Sequence, residues 1–448
     1  MMKSPEELLL FAERLAAVEE IECVTPDLNG IPRGKTMTVE GFLSGRRLQL
    51  ARGVLLQCLM GGYPPASFYG GDDGDLALHA DPQQVHILPW SEPPRALAIC
   101  DALEVDGRPC GLSTRGLLRR VLADYAALGI TPVVATEVEF FIFAPNPDPR
   151  EPFLPPLGLD GRREVGASAF TVASSNGLRP FFAEVYRCMA ALGLPRDTFM
   201  HEMGVSQFEI NFPHGDALQL ADQTFLFKHL LHEVALQHGL IAVCMAKPLG
   251  GVPGSSMHIH QSLVDASGRN LFSAADGEAT PAFAQFIGGL QAGLAELTLL
   301  LAPNVNSYHR LAHPYASPNN VCWAYDNRAA GLRIPASGPE ARRVENRLPG
   351  ADANPYLALA ASLGAGLYGL VRGLHPSLPA RGEFQVPDAL RLPSSMNEAL
   401  HRLQRSSLAR ELFGDEFVDG YLASKALELA SFLEEITPWE RRVLAPQL

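Results

Sequence analysis

In Ala135-Thr136-Glu137-Val138-Glu139-Phe140 two carboxylates stand two residues apart among apolar neighbours. On a β-strand that spacing sends Glu137 and Glu139 to one face, while Val138, Phe140 and Ile142 point the other way into a core. The pattern recurs three times. In 201–211, which opens His201-Glu202, Glu209 lies between apolar residues with Gln207 and Asn211 on its side. In Met257-His258-Ile259-His260-Gln261 two histidines share a face, and in Arg343-Val344-Glu345-Asn346-Arg347 two arginines flank a glutamate. Any one of these pairs is compatible with a solvated strand face. Four in one chain point to a metal or catalytic site. Converging carboxylates repel unless cations lie between them, and an oxygen-rich set with little imidazole suits Mg²⁺ or Mn²⁺ better than Zn²⁺. The arginines at 310, 328, 333, 343 and 347 complete the composition of a site that handles ATP phosphates.

The elements that must carry these residues are strands at 131–143, 201–212, 256–264 and 341–347. Helical patterns cover 280–301, 354–371 and three stretches after Pro393. Strands and helices do not alternate as βαβ units, so the expectation is an α+β fold with a mostly antiparallel sheet turning one face to a site. Upstream, Ser4-Pro5-Glu6-Glu7 reads as a helix start. Residues 21–39 read as two strands around Asn29-Gly30, 61–75 as an irregular loop, and 76–103 as short strands broken by prolines. Ser113 caps an amphipathic helix bearing Leu117, Leu118, Val121, Leu122 and Tyr125, with Gly129 as its stop. Gly107-Arg108-Pro109 interrupts the pattern, which gives domains at 1–110 and 111–448.

The chain has 448 residues, 47% hydrophobic and 19% charged, a globular balance that fits two domains. Its net charge of −13 argues against a partner held by phosphate contacts, so no nucleic acid is expected. No apolar run is long enough for a bilayer, and the acidic N-terminal segment is not a signal peptide. Seven cysteines without a CxxC pair suggest reduced thiols and a cytoplasmic setting. Two phosphate-loop look-alikes are set aside. Gly364-Ala-Gly-Leu-Tyr-Gly369 sits inside a helical run and suits close helix packing, and Gly30-Ile-Pro-Arg-Gly34-Lys-Thr36 has its glycines one residue too close.

Taken together, seven segments resemble the glutamine synthetase superfamily over essentially the whole chain. They are TEVEFFIF (136–143), HE…QFEINF (201–212), GSSMHIHQSL (254–263), NSYHRL (306–311), DNRAAGLRIP (326–335), ARRVENR (341–347) and ANPYLALAASLGAG (353–366). The resemblance implies an N-terminal β-grasp domain, a catalytic domain on an antiparallel sheet, and a homo-oligomer, a dodecamer of two hexameric rings with shared sites. It implies Glu139, Glu202 and Glu209 as ligands of one metal, and Glu137, His258 and Glu345 as ligands of a second, with two or three Mg²⁺ or Mn²⁺ per site. Arg310 and Arg347 match the arginines for the glutamate carboxylates, with Gly254 and His258 beside them. Arg328 and Arg333 match those that steady the transferring phosphoryl group, while Arg333, Arg343, Ser256 and His260 fall to ATP. The implied chemistry is attack of glutamate's γ-carboxylate on ATP, then displacement of phosphate by an amine.

The amine half of the site departs from that pattern. Where the family has a flap glutamate six residues after the Arg310 position, this chain has Ala316, and Gln57 stands near the place of the ammonium-site aspartate. A small desolvated cation needs facing carboxylates. Their loss resembles the γ-glutamylpolyamine and γ-glutamyl-monoamine synthetases, and DLNGIPRGK (27–35) looks like that branch. The acids Asp72, Asp73 and Asp75 suit a polyamine, although a Gly/Asp loop is more often a solvated turn, whereas Phe68, Tyr315, Trp323 and Tyr325 suit an apolar monoamine, with core packing the stronger reading for Trp323 and Tyr325. His309 and His313 have no role beyond structure. Glu383-Phe384-Gln385 occupies the place of the loop that carries an adenylylated tyrosine in many bacterial members, and Pro253 replaces an asparagine of the glutamate loop. The expectation is an ATP-dependent ligase joining glutamate to a small organic amine. The competitors are a glutamine synthetase using ammonia and a catalytically silent relative.

Overall fold

The computed structural model describes residues 12–166, 169–312 and 317–448. Ser4-Pro5-Glu6-Glu7, His313, Tyr315 and Ala316 lie outside the described residues. Two sheets organise the rest. The first comprises β1 (Glu20–Pro26), β2 (Pro32–Thr38), β3 (Leu48–Ala51), β4 (Asp75–Ile87) and β5 (Arg95–Glu104), in the order β2-β1-β5-β4-β3. Its β1–β5 pair is parallel and the other pairs are antiparallel. The turn between β1 and β2 is where the sequence places it. Asp27 Oδ1 accepts from the N–H groups of Asn29 and Ile31, and Gly30 takes φ +76°.

The expectation of short broken strands over 76–103 does not hold: β4 and β5 are long. Pro82 is tolerated within β4 because the pairing shifts register between Ala80 and Val85, so no ladder hydrogen bond is asked of it. That irregularity also delivers Asp81 to Arg115, on the helix Thr114–Ala127. Arg115 is fully buried and binds Asp81 (2.7 Å) and Asp101 (2.5 Å) of the first sheet. It also makes a two-pronged contact with Asp222 (2.9 and 2.7 Å) on the helix Ala217–Gln237. Burial alone would weaken the charged guanidinium; the carboxylates, Asp222 foremost, outweigh it and push its pKa up.

The second sheet runs β12 (Trp323–Tyr325), β13 (Leu332–Ile334), β14 (Val344–Asn346), β11 (Met257–Val264), β6 (Thr131–Phe143), β8 (Gln207–Asn211) and β7 (Phe199–His201). Two short strands, β9 (Gly215–Asp216) and β10 (Ile241–Val243), also pair with β6. All its pairings are antiparallel except β12–β13. The stretch 201–212 is not one strand as expected but a hairpin. Ser206 turns at φ +56°, and a Cβ on Gly204 would meet Gln207 Oε1 at 2.6 Å, so the chain reverses there. The helical pattern at 280–301 likewise divides into Pro281–Gly293 and Thr298–Leu301. The glycine run 364–369 lies in the helix Pro355–Arg372 and works by close approach. A Cβ on Gly366 would fall 2.1 Å from the Phe286 ring, and one on Gly369 would fall 2.2 Å from Gln285 O. No described helix is long and apolar enough to cross a membrane.

Candidate active site

The register of the second sheet assembles the four sequence segments into one row. Glu139 on β6 stands opposite Glu209 on β8, and Glu137 stands opposite His258 on β11. His260 pairs with Glu345 on β14, which pairs in turn with Arg333 on β13. Directly opposed residues share a face, so one surface carries all of them. The reverse side of β6 is apolar: Val138, Phe140 and Ile142 are fully buried. That burial fixes the register, because a slip of one residue would turn the acids inward.

The two ends of the row differ in charge balance. At the β6–β8 end, burial raises the Glu139 pKa to about 8, with Glu202 adding to it. Burial raises Glu209 to about 10, with Glu139, Glu137 and Glu202 reinforcing it, and raises Glu202 as well. Glu139 keeps two polar partners, the Ser256 N–H at 2.9 Å and Gln207 Nε2 at 3.3 Å. At the β11–β14 end the acids are compensated. Burial opposes ionisation of Glu137, but His258 and His260 outweigh it and hold it well below the usual carboxylate range. Glu345 is held at about 2 against burial by His258, Arg347 and His260. Burial lowers His258 to about 4, helped by Arg347, so its ring is neutral near pH 7.

The hydrogen bonds of the two histidines separate their roles. His260 Nδ1 accepts from Arg343 Nε at 3.1 Å and its Nε2 meets Glu137 at 2.9 Å, so both ring nitrogens are engaged. His258 Nδ1 meets Glu137 at 3.1 Å, with Glu345 at 3.9 Å. Facing an ionised carboxylate, Nδ1 carries the proton and Nε2 is left as a lone pair, buried and without a partner. A carboxylate-held imidazole with a free second nitrogen is what a metal ligand requires. Three crowded acids whose ionisation is resisted would be compensated by a cation in the same way. The residues therefore fit divalent ions at both ends. Ligand atoms of Glu137, His260 and Glu345 lie within 4.8 Å of one another, so His260 also stands close to the second group.

Residues 111–444 match the glutamine synthetase catalytic domain. The chain belongs to the glutamine synthetase family. Over 442 residues it is 32% identical to a glutamate–isopropylamine ligase of Pseudomonas sp, with 94% of both chains covered. It is 34% identical over 443 residues to the γ-glutamylethanolamide synthetase GlnA4 of Streptomyces coelicolor, covering 96% of this chain and 93% of that one. It is 33% identical over 424 residues to the glutamine synthetase of Pyrococcus abyssi, covering 92% and 91%. A solved GmaS/ADP complex superposes with TM-score 0.83 at 28% identity, covering 99% of both chains. This glutamine synthetase family member is a carbon–nitrogen ligase, and the family uses ATP and divalent metal ions.

The arginines named from the sequence occupy three environments. Arg310, on the helix Val305–Leu311, is fully buried, and its guanidinium meets protein groups: Leu348 O (2.8 Å), Arg347 O (2.9 Å) and Ser256 Oγ (2.8 Å). Burial lowers its pKa to about 10. It stands behind Gly254, where a Cβ would come within 2.8 Å of its Cγ, so glycine is what lets the 250–255 loop lie on it. Arg333 and Arg347 both bind Glu345, at 2.6 and 2.5 Å. Arg328 is exposed, near enough to Glu202 to lower its pKa, and lines an open cavity of about 960 Å³. Three further residues support the site in ways the sequence does not assign. Gln207 ties Glu139 to Gly254 O and Ser255 Oγ (3.0 and 3.1 Å). Asp326 holds Arg333 at 2.5 Å. Glu164 accepts from His201 Nε2 and the Ser206 N–H, fixing the hairpin that carries Glu202 and Glu209. Glu164 lies in an aperiodic loop, where no pattern could single it out.

Proposed function

We propose that the chain joins the γ-carboxyl of glutamate to a small organic monoamine in preference to ammonia, with ATP converted to ADP and phosphate. The observation that carries this reading is the single sheet face with acids at both ends and arginines beside them, a surface suited to holding a polyphosphate next to a carboxylate. In this reading Glu139, Glu202 and Glu209 hold one divalent ion and Glu137, His258 and Glu345 a second, with Mg²⁺ or Mn²⁺ fitting the oxygen-rich set. Such ions supply charge neutralisation for the phosphates beside these carboxylates.

The chain's own residues do the rest. Arg333 and Arg347 clamp Glu345 from two sides. Arg328, with no hydrogen bond of its own among the described residues, offers its guanidinium to the phosphoryl group as it moves to the γ-carboxylate. Arg347 and the Gly254 loop receive the glutamate, with Arg310 fixing both from behind; Arg343, Ser256 and His260 attend ATP. The amine then attacks the acyl carbon and phosphate leaves. Ala316 provides no carboxylate for an ammonium ion, and Gln57, whose Nε2 donates to Gly61 O and Tyr63 Oη, is a neutral loop residue. The kinship with two organic-amine ligases supports the same choice. A boundary near 110 between an N-terminal β-grasp domain and the catalytic domain, a dodecamer of two hexameric rings, and a cytoplasmic location belong to this proposal.

The test is phosphate release from ATP with Mg²⁺ and glutamate, run in parallel with ammonium, isopropylamine, ethanolamine, phenylethylamine and putrescine. Turnover with one monoamine well above ammonium is the expected result. Faster turnover with ammonium would make the chain a glutamine synthetase, the reading favoured by its kinship with the Pyrococcus abyssi enzyme. Silence with every amine would point to Pro253 and a different acid substrate.

A further inference from the structure

The 960 Å³ cavity lined by Arg328 and Arg333 is also lined by a third arginine, Arg381, together with Glu383 and the exposed ring of Tyr325. Arg333 is committed to Asp326 and Glu345, which leaves Arg328 and Arg381 as the other two arginines of the lining. Among the described residues Arg381 makes no hydrogen bond or ion pair. Its backbone is nevertheless fixed. The Ala380 N–H donates to Trp323 O at 2.8 Å, and Asn327 Nδ2 donates to Gly382 O at 2.8 Å, pinning the 380–382 segment to β12 and to the turn that carries Arg328. An exposed arginine on a tethered backbone, lining one cavity with the arginine that the proposed reaction assigns to the phosphoryl group, has the placement of an anion-binding group and not of a structural ion pair.

We propose that Arg381 is a substrate-binding residue that contacts an anionic group of glutamate or of the nucleotide within the cavity it shares with Arg328. This rests on the reading of the site as one for ATP and glutamate. Phosphate and carboxylate present the same chemistry to a guanidinium, and the test separates them.

Initial rates of Arg381→Gln and Arg381→Lys, varying ATP, glutamate and the amine in turn, are the direct measurement, with calorimetric binding of ADP and of glutamate alongside. Loss of one charge-assisted contact predicts a rise of roughly ten-fold in KM for one anionic substrate with Gln, a smaller rise with Lys, and an unchanged KM for the amine. A rise confined to ATP and ADP assigns the contact to phosphate; one confined to glutamate assigns it to carboxylate. Because Arg381 is exposed, the variants should melt with the wild type. Unchanged affinity for both anions in a folded Arg381→Gln protein overturns the proposal. Calorimetry reads this even if the wild type turns over no organic amine, so failure of the proposed reaction and failure of the Arg381 contact remain distinguishable.

Discussion

The two ends of the row across the second sheet carry nearly the same residue types and behave oppositely. Glu139, Glu202 and Glu209 face one another with little positive charge among them, and the ionisation of all three is resisted. Glu137 and Glu345 are as closely set but lie against His258, His260, Arg333 and Arg347, and both stay ionised. One end is compensated by arginines and imidazoles of the protein, whereas the other lacks such compensation. A carboxylate cluster is therefore not one kind of object: how far its charge is compensated is set by the strand beside it.

Four experiments press on that difference. The largest effect should come from removing either end's charge. Glu139→Ala or Glu345→Ala should lower ATP turnover by roughly a thousand-fold or more, since each removes electrostatic support at the transferring phosphoryl group; turnover near wild type would dissolve the assignment of both ends. The second compares stability without divalent metal. Glu345→Gln should lose roughly 2–4 kcal/mol, because Arg333 and Arg347 are left with a neutral partner in a buried setting. Glu139→Gln, relieved of repulsion, should melt no lower than wild type. If both variants lose stability equally, the two ends are alike and the comparison fails.

The third effect is on pH. Glu139, with a pKa of about 8 folded against 4.5 as its ordinary value, favours the fold while protonated. That contribution is complete below about 4.5 and lost as pH rises through about 8, and Glu209 follows towards about 10. Glu345, with its pKa depressed to about 2, works the other way, adding stability above about 4.5 that disappears in acid. Mg²⁺ must displace protons from the first group, so the melting-temperature gain from saturating Mg²⁺ should grow between pH 6 and pH 9. A gain independent of pH would mean the ion binds elsewhere. The smallest effect belongs to Ser256, whose N–H serves Glu139 and whose hydroxyl serves Arg310. Ser256→Ala keeps the first contact and removes the second, so turnover should fall by only about five-fold, the equivalent of one hydrogen bond.

Much of this site is legible in the sequence because strand periodicity is local. Glu137 and Glu139 announce a shared face through the apolar residues between them, and the glycine run at 364–369 declares itself helical by its neighbours. What cannot be read there is pairing. That His260, not His258, stands opposite Glu345 is decided by a register spanning more than eighty residues. The division of the carboxylates into compensated and uncompensated ends follows from that register alone. The hairpin within 201–212 was available in principle, since Gly204-Val205-Ser206 is a turn-forming interruption, but the apolar alternation around it imitates a continuous strand. Arg310 shows the opposite limit: motif resemblance identifies the residue, while its burial behind Gly254 emerges only from packing.

Arg115 bears on how such enzymes could be recombined. Its three carboxylates come from both sides of the point at which the chain would be cut to exchange the N-terminal segment with a relative. A chimera joined near residue 110 inherits Asp81 and Asp101 from one parent and Arg115 with Asp222 from the other. Unless both parents carry the complete set, the hybrid buries either an arginine short of counter-charge or acids left with Arg119 alone. Compatibility between the two pieces therefore includes a condition on these four side chains, whatever the overall similarity of the parents.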